Sequence, residues 1–168
     1  MPFAYYDRLS PARQRIYLKS DAIVALRPPE GLALGAVVAQ IRAALIQDDS
    51  GAVRRASQSL IDALTAGYRV PPIRARVLAR RPADGGGELH GLYEPGEGAS
   101  VARVTVWMRT AQRRDVVAFR TFLRTLVHEL CHHLDYEMYK LPETFHTEGF
   151  YKRESTLAGA LLAQEVCE

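Results

Sequence analysis

The sequence has few cysteines and no long apolar run. Two cysteines in 168 residues are too few for a scaffold built on disulfides, and they indicate a reducing compartment such as the cytoplasm. No stretch reaches the roughly 20 apolar residues that a membrane-spanning helix needs. The first residues also lack the basic start and apolar core of a signal peptide. We therefore expect a cytoplasmic protein without a membrane partner.

Charge is distributed unevenly along the chain. Residues 71–127 contain ten arginines and five acidic residues, whereas residues 128–168 contain three basic and eight acidic residues. The basic segment permits contact with DNA or RNA, and such binding would weaken steeply with added salt. A solvated helix face explains the same arginines, and the lack of an aromatic–basic cluster favours it. The arginines expected on that face are Arg113, Arg114, Arg120 and Arg124.

The spacing of apolar residues predicts an α+β protein, with helices at both ends and a small sheet between them. Helices are expected at Ser10–Pro11 to about Leu26, at 34–47, at 52–66 with Gly67 as the stop, at 115–138 and at 147–165. Strands are expected at 73–80, 88–93 and 101–108. Residues 1–70 are interpreted as a helical region packed on a core of residues 71–168, or as part of one compact domain with it.

The segment His128–Glu129–Leu130–Cys131–His132 is an HExxH motif within a predicted helix. Residues four apart lie on one helix face, so His128 and His132 can point their imidazoles at one metal ion. Glu129 then lies beside the open metal position, where it can accept a proton from a bound water. Catalytic zinc usually has three protein ligands and one open position, so we expect one Zn²⁺ ion and a third ligand.

The sequence that follows the motif contains three candidates for the third ligand. His146 follows His132 by 14 residues, across a turn at residues 141–143 that lets the chain reverse, and it is the favoured candidate. Glu154 is the next choice, and it would relate the chain to small zincins that use glutamate. Glu148 is the remaining carboxylate that a following helix could present.

The other histidines and Cys131 are expected to have structural roles, whereas Asp135 has two interpretations. His133 lies about 100° around the helix from His132, so we expect a polar core or surface residue. Cys131 is expected to be a packed small side chain, and His90 to be structural. Asp135 lies on the same face as the motif histidines. Its carboxylate either accepts the second ring N–H of a ligand histidine or is a solvated acid at the helix end.

An HExxH helix is typical of zinc-dependent peptidases. Peptide hydrolysis would also need a donor for the oxyanion and a surface for the substrate. The candidate donors are Tyr151, Tyr136 and Arg153, and the sequence does not choose among them. A substrate could pair as an extra strand along the edge of the small sheet, with the strand at 101–108 as the expected edge.

The motif and its surroundings resemble the SprT-like, or Spartan-type, zinc metallopeptidases. That family has HExxH, a loop, and then a histidine with an aromatic residue four positions later, as His146 and Phe150 are here. Upstream, Gly91-Leu92-Tyr93 and the strand Arg103–Trp107 resemble the glycine–aromatic strand of the family and the strand after it. The resemblance covers about residues 73–155. Thr147 stands where the family usually has glycine.

The resemblance implies a zincin-like core, with a small and mostly antiparallel sheet, an HExxH helix and a following helix. It implies that His128, His132 and His146 bind zinc, that Glu129 is the general base, and that the substrate is a protein or peptide. The competing hypothesis is a non-catalytic binding module, with or without nucleic acid. Its closed zinc site would take Glu148 or Glu154 as a fourth ligand.

Overall fold

The computed structural model describes residues 2–80, 83–84, 87–88, 91–109 and 118–166. It confirms an α+β architecture with helices before and after a small sheet. A 3₁₀-helix, Ala4–Arg8, precedes the α-helices. These are α1 (Pro11–Asp21), α2 (Gly35–Ile46), α3 (Ser50–Tyr68), α4 (Phe119–Glu137) and α5 (Glu148–Val166). The strands are β1 (Ile73–Arg80), β2 (Ala83–Asp84), β3 (Gly87–Glu88), β4 (Gly91–Glu94) and β5 (Ala102–Arg109).

The main sheet has the order β1-β5-β4 and is mixed. Strand β5 pairs in parallel with β1, with Ile73 opposite Ala102. It pairs antiparallel with β4, with Gly91 opposite Val106. The expectation of a mostly antiparallel sheet is therefore wrong. A short turn reverses the chain between β4 and β5, which makes that pair antiparallel and returns β5 to the direction of β1.

Helix α1 ends at Asp21, five residues before the predicted end near Leu26. Beyond Ala22 the chain leaves the helix and runs along α5. There, the backbone N–H of Leu26 donates to Thr156 Oγ1 at 2.9 Å, and the Ile23 carbonyl accepts a hydrogen bond from Arg153 at 2.8 Å. These partners on α5 replace the bonds that further helical turns would have supplied, and apolar spacing alone does not reveal them.

Helix α3 continues through Gly67, the residue predicted to stop it, and ends at Tyr68. Arg69 takes the left-handed conformation that terminates the helix, with φ 58°. Gly67 serves a different purpose, since a Cβ there would lie 2.5 Å from Pro29 Cγ. The glycine therefore lets the 27–31 loop approach the helix closely.

One apolar cluster joins the helices to the sheet. It includes residues from both the first 70 positions and the rest of the chain, among them Ile41, Leu60, Val104, Leu130 and Leu161. Burial of each large aliphatic side chain stabilises the fold by about 1.5–3 kcal/mol. This packing fixes α4 and α5 against each other and against the sheet, so residues on their facing surfaces are held at set distances. Among the described helices, none is both long and apolar enough to cross a bilayer.

Candidate metal centre

Three histidines converge between α4 and the start of α5. His128 and His132 lie one turn apart on α4, and His146 lies just before α5. The Nε2 atom of His146 is 3.1 Å from that of His128 and 3.0 Å from that of His132. Zn–N bonds of about 2.0–2.1 Å place tetrahedral nitrogen ligands about 3.3 Å apart. The cluster is thus close to the size that a zinc ion requires, and the three histidines can hold a metal ion.

The remaining ring nitrogen of His132 is held by a threonine. Thr144 donates its single hydroxyl hydrogen to Asp135 Oδ2 at 2.7 Å. Its oxygen lies 2.8 Å from His132 Nδ1 and must therefore accept the hydrogen of that ring nitrogen. His132 is fixed with Nδ1 protonated, which leaves the lone pair of Nε2 facing the other histidines.

His128 has a carboxylate behind its ring. Glu154 Oε2 lies 3.4 Å from His128 Nδ1, and Glu154 Oε1 accepts a hydrogen bond from Arg124 Nε at 3.2 Å. A carboxylate can only accept, so it favours a proton on Nδ1 and a lone pair on Nε2. The buried carboxylate orients the ring from the side opposite the other two histidines.

The donor chemistry of the cluster fits a cation. Burial, followed by the neighbouring histidines, lowers the pKa of His132 to about 3, and burial followed by His128 lowers the pKa of His146. Imidazole lone pairs that face each other about 3 Å apart repel unless a cation or an N–H hydrogen lies between them. His132 and His146 are therefore neutral nitrogen donors of the kind that zinc prefers.

The two carboxylates predicted as alternative ligands lie outside this cluster. Glu154 faces the Nδ1 side of His128, and its carboxylate contacts that ring nitrogen and accepts a hydrogen bond from Arg124. Glu148 is directed to solvent and pairs with Lys152 at 2.9 Å. Within the described part of the chain, the geometry favours His146 over both as the third nitrogen or oxygen donor.

A buried aromatic ring supports all three histidines. Phe150 is fully buried, and its ring centre lies 5.0, 4.8 and 5.3 Å from those of His128, His132 and His146. Its backbone N–H donates to Thr147 Oγ1 at 2.9 Å. Thr147 thus caps the N-terminus of α5, which gives a structural reason for a threonine at this position.

Glu129 lies beside the histidine cluster in a buried position, with 6% of its surface exposed. Burial is the main cause that raises its pKa to about 7, and a cation at the histidines would counter that shift by favouring the carboxylate. Gly91 on β4 provides the space for this side chain, because a Cβ there would lie 2.7 Å from Glu129 Oε1. Any larger residue at position 91 would displace the carboxylate.

The histidines and Glu129 line a cavity of about 710 Å³ between α4, α5 and β4. Two of the three predicted oxyanion donors, Tyr136 and Tyr151, line it as well. Burial raises the pKa of Tyr151, so its hydroxyl stays protonated and can donate. Arg153 does not line the cavity: it is buried and bonded to Asp135 at 2.8 Å, so its guanidinium is not directed at a substrate.

The remaining residues around the motif have structural roles. His133 is buried and uses both ring nitrogens, with Tyr93 and the Pro71 carbonyl as partners at 2.8 Å each. Cys131 is buried among apolar residues, as expected. Asp135 is fully buried rather than solvated, and it reaches His132 through Thr144 instead of directly. His90 lies outside the described residues.

The predicted solvated arginine face is described only in part. Arg120 is exposed, and the side chain of Arg124 is 58% exposed although it pairs with Glu154. Arg113 and Arg114 lie outside the described residues. Contact with nucleic acid stays a prediction, which the salt dependence of binding would check.

Sequence reasoning missed several residues of this site. Thr144, Gly91 and Tyr5, whose hydroxyl donates to the His146 carbonyl at 2.8 Å, belong to no metal-binding pattern, and their importance depends on contacts between distant segments. For Gly91 the only signal in the sequence is its place in a strand that resembles the SprT-like group. Compared with protein-family models, curated proteins and solved structures, the chain matches none of them. Similarity to the SprT-like metallopeptidases therefore stays a prediction, carried by the HExxH motif, His146 and Phe150.

Proposed function

We propose that this protein is a zinc-dependent metallopeptidase of the SprT-like type, which hydrolyses peptide bonds in protein or peptide substrates. The observation that carries the proposal is the convergence of three histidine side chains beside a buried glutamate, in a cavity that is also lined by strand β4. A metal centre used only for stability would have no need for a carboxylate such as Glu129 at the open side.

The chemistry follows from the positions of the residues. A zinc ion at the three histidines would activate a water molecule and polarise the scissile carbonyl. Glu129 would accept a proton from that water and later deliver it to the leaving amine, and its buried position beside the histidines suits it to both transfers. Tyr151 and Tyr136 line the cavity and supply candidate hydroxyl donors for the oxyanion.

The substrate binds most simply along β4. The sequence favours the strand at 101–108 as the edge, but β5 lies in the middle of the sheet with β1 and β4 on either side. Strand β4 is an edge among the described strands, and its Gly91, Leu92 and Tyr93 line the cavity. An extended peptide can add to such an edge through backbone hydrogen bonds. That placement brings a peptide bond to the open side of the histidines.

The arrangement of β4, α4 and α5 supports the assignment of a zincin-like core. An edge strand antiparallel to its neighbour runs beside the helix that contains HExxH, and the next helix follows the third histidine. The alternative of a closed, non-catalytic zinc module needs a fourth protein ligand. Glu148 and Glu154, the two candidates for that role, are paired elsewhere.

The test is cleavage of an unfolded protein such as casein by zinc-loaded wild type and by Glu129→Gln, at matched zinc content. We expect the variant to bind one zinc per chain and to lose about 10²–10⁴-fold in cleavage rate, because the proton acceptor is gone. Glu137→Gln is the matched control, since Glu137 lies on the same helix away from the cavity. Full activity in Glu129→Gln would refute the mechanism, and a fourth protein ligand in X-ray absorption would favour the closed module.

A further inference from the structure

Residues 3–23 lie outside the segment that resembles metallopeptidases, yet they contact the residues that hold the metal centre. The hydroxyl of Tyr5 donates to the backbone carbonyl of His146 at 2.8 Å, across 141 positions of sequence. This hydrogen bond fixes the backbone that presents the third histidine. Around it, Tyr5 and Tyr6 pack edge-on against the buried ring of Tyr17, so the segment has one defined position.

The end of α1 is joined to the start of α5. Asp21 Oδ1 accepts a hydrogen bond from the backbone N–H of Gly149 at 2.9 Å. The approach is close, because a Cβ at Gly149 would lie 2.3 Å from the Asp21 carbonyl oxygen. The turn that follows His146 is therefore shaped to receive α1.

A chain of buried polar contacts runs from α1 to His132. Arg153 is 1% exposed, and it donates to the Ser20 carbonyl at 2.7 Å, to Ser20 Oγ at 3.1 Å and to Asp135 Oδ1 at 2.8 Å. Asp135 in turn accepts from Thr144, which accepts from His132 Nδ1. Displacement of α1 would leave Arg153 without its two buried acceptors on Ser20. It would thereby weaken the contacts that connect Arg153 through Asp135 and Thr144 to His132.

We propose that zinc binding and the docking of residues 3–23 are thermodynamically coupled, so that this segment controls the occupancy of the metal centre. The inference rests on the zinc site of the proposed function, but not on peptide cleavage. In the docked state, His132 and His146 are held in the orientation that binds zinc. Because coupling between two sites is reciprocal, zinc must stabilise the docked segment by the same factor by which the segment raises zinc affinity.

The first experiment measures zinc affinity of the full chain by competition with a chromophoric chelator. Thr144→Val keeps the shape of the side chain but removes the hydroxyl, and loss of such an outer partner lowers metal affinity by about 10–100-fold. Thr144→Ser restores a hydroxyl and should return the affinity to within about threefold of wild type, an allowance set by the changed packing of one methyl group. Tyr5→Phe should lower affinity by about fivefold, the value of one hydrogen bond, whereas Tyr6→Phe is the control from the same segment.

The reciprocal experiment follows amide hydrogen exchange with and without zinc. We expect zinc to slow exchange in residues 3–23 of wild type, to do so less in Tyr5→Phe, and to leave α3 little changed. Unaltered affinity in Tyr5→Phe would overturn the proposal, and so would exchange in residues 3–23 that is the same with and without zinc. Coupled zinc binding without casein cleavage would refute the peptidase and leave this inference standing, whereas cleavage without coupling would do the reverse.

Discussion

The two helical segments upstream of the sheet are attached to the molecule in different ways. Helices α2 and α3 pack on α5 and β1 and bury many apolar side chains, among them Val38, Ile41, Leu60 and Leu64. The segment of the 3₁₀-helix and α1 buries only Tyr17 and Ser20. Its attachment to α5 and to the loop before it consists largely of hydrogen bonds, the Arg13–Glu143 ion pair and ring contacts. The first segment therefore supports the fold, and the second supports the site.

The largest effect is expected from removal of the Arg153 guanidinium, which donates hydrogen bonds to both α1 and α4. Arg153→Met leaves the fully buried Asp135 carboxylate without its charge partner, and loss of one member of a buried pair costs about 3–5 kcal/mol. We expect that decrease in the free energy of unfolding, measured by urea denaturation of the zinc-free protein. Because both charged groups are buried, no solvent screening softens the loss, and we expect this substitution to have the largest effect on stability.

The double variant Arg153→Met with Asp135→Asn serves as its control. Asparagine carries no charge, so much of the lost stability should return. If Arg153→Met alone loses less than about 1 kcal/mol, a value typical of exposed pairs, then the buried Arg153 does not hold α1 and α4 against α5.

The next largest effect on stability is expected in the segment of α2 and α3. Ile41→Ala removes a fully buried side chain, and such truncations cost about 2–5 kcal/mol of folding stability. Ile46 provides a matched control, because it lies on the same helix with 78% of its surface exposed, and Ile46→Ala should change stability by no more than about 0.5 kcal/mol. Zinc affinity of folded Ile41→Ala should equal that of wild type. A drop comparable to that of Thr144→Val would show that α2 also supports the site.

The contrast between the apolar packing of α2 and α3 and the polar attachment of α1 also explains how much of the fold and of the site the sequence could predict. Apolar periodicity predicts α2 and α3 to within a few residues, because burial of one face determines both. The HExxH spacing predicts the positions of His128, Glu129 and His132, because a helix turn determines it. Contacts such as Tyr5 with His146 join residues 141 positions apart, and no local pattern encodes them. The early end of α1 and the role of Gly67 also depend on such distant contacts, so the sequence does not reveal them.

The smallest effect is expected where the N-terminal segment meets the loop between α4 and α5 at the surface. Arg13 Nε donates to both oxygens of Glu143, at 2.9 and 3.1 Å, and its guanidinium lies over the Phe145 ring. Both charged side chains are well exposed, at 48% and 39%, so solvent screens the pair. Arg13→Ala should therefore lower the free energy of unfolding by less than about 1 kcal/mol.

Arg15→Ala, on the exposed surface of the same helix, is the control. High salt should abolish the difference between the two variants, because screening removes an exposed ion pair first. A loss of several kcal/mol would instead mean that the surface contact, and not the buried chain through Arg153, fixes α1 on the metal centre.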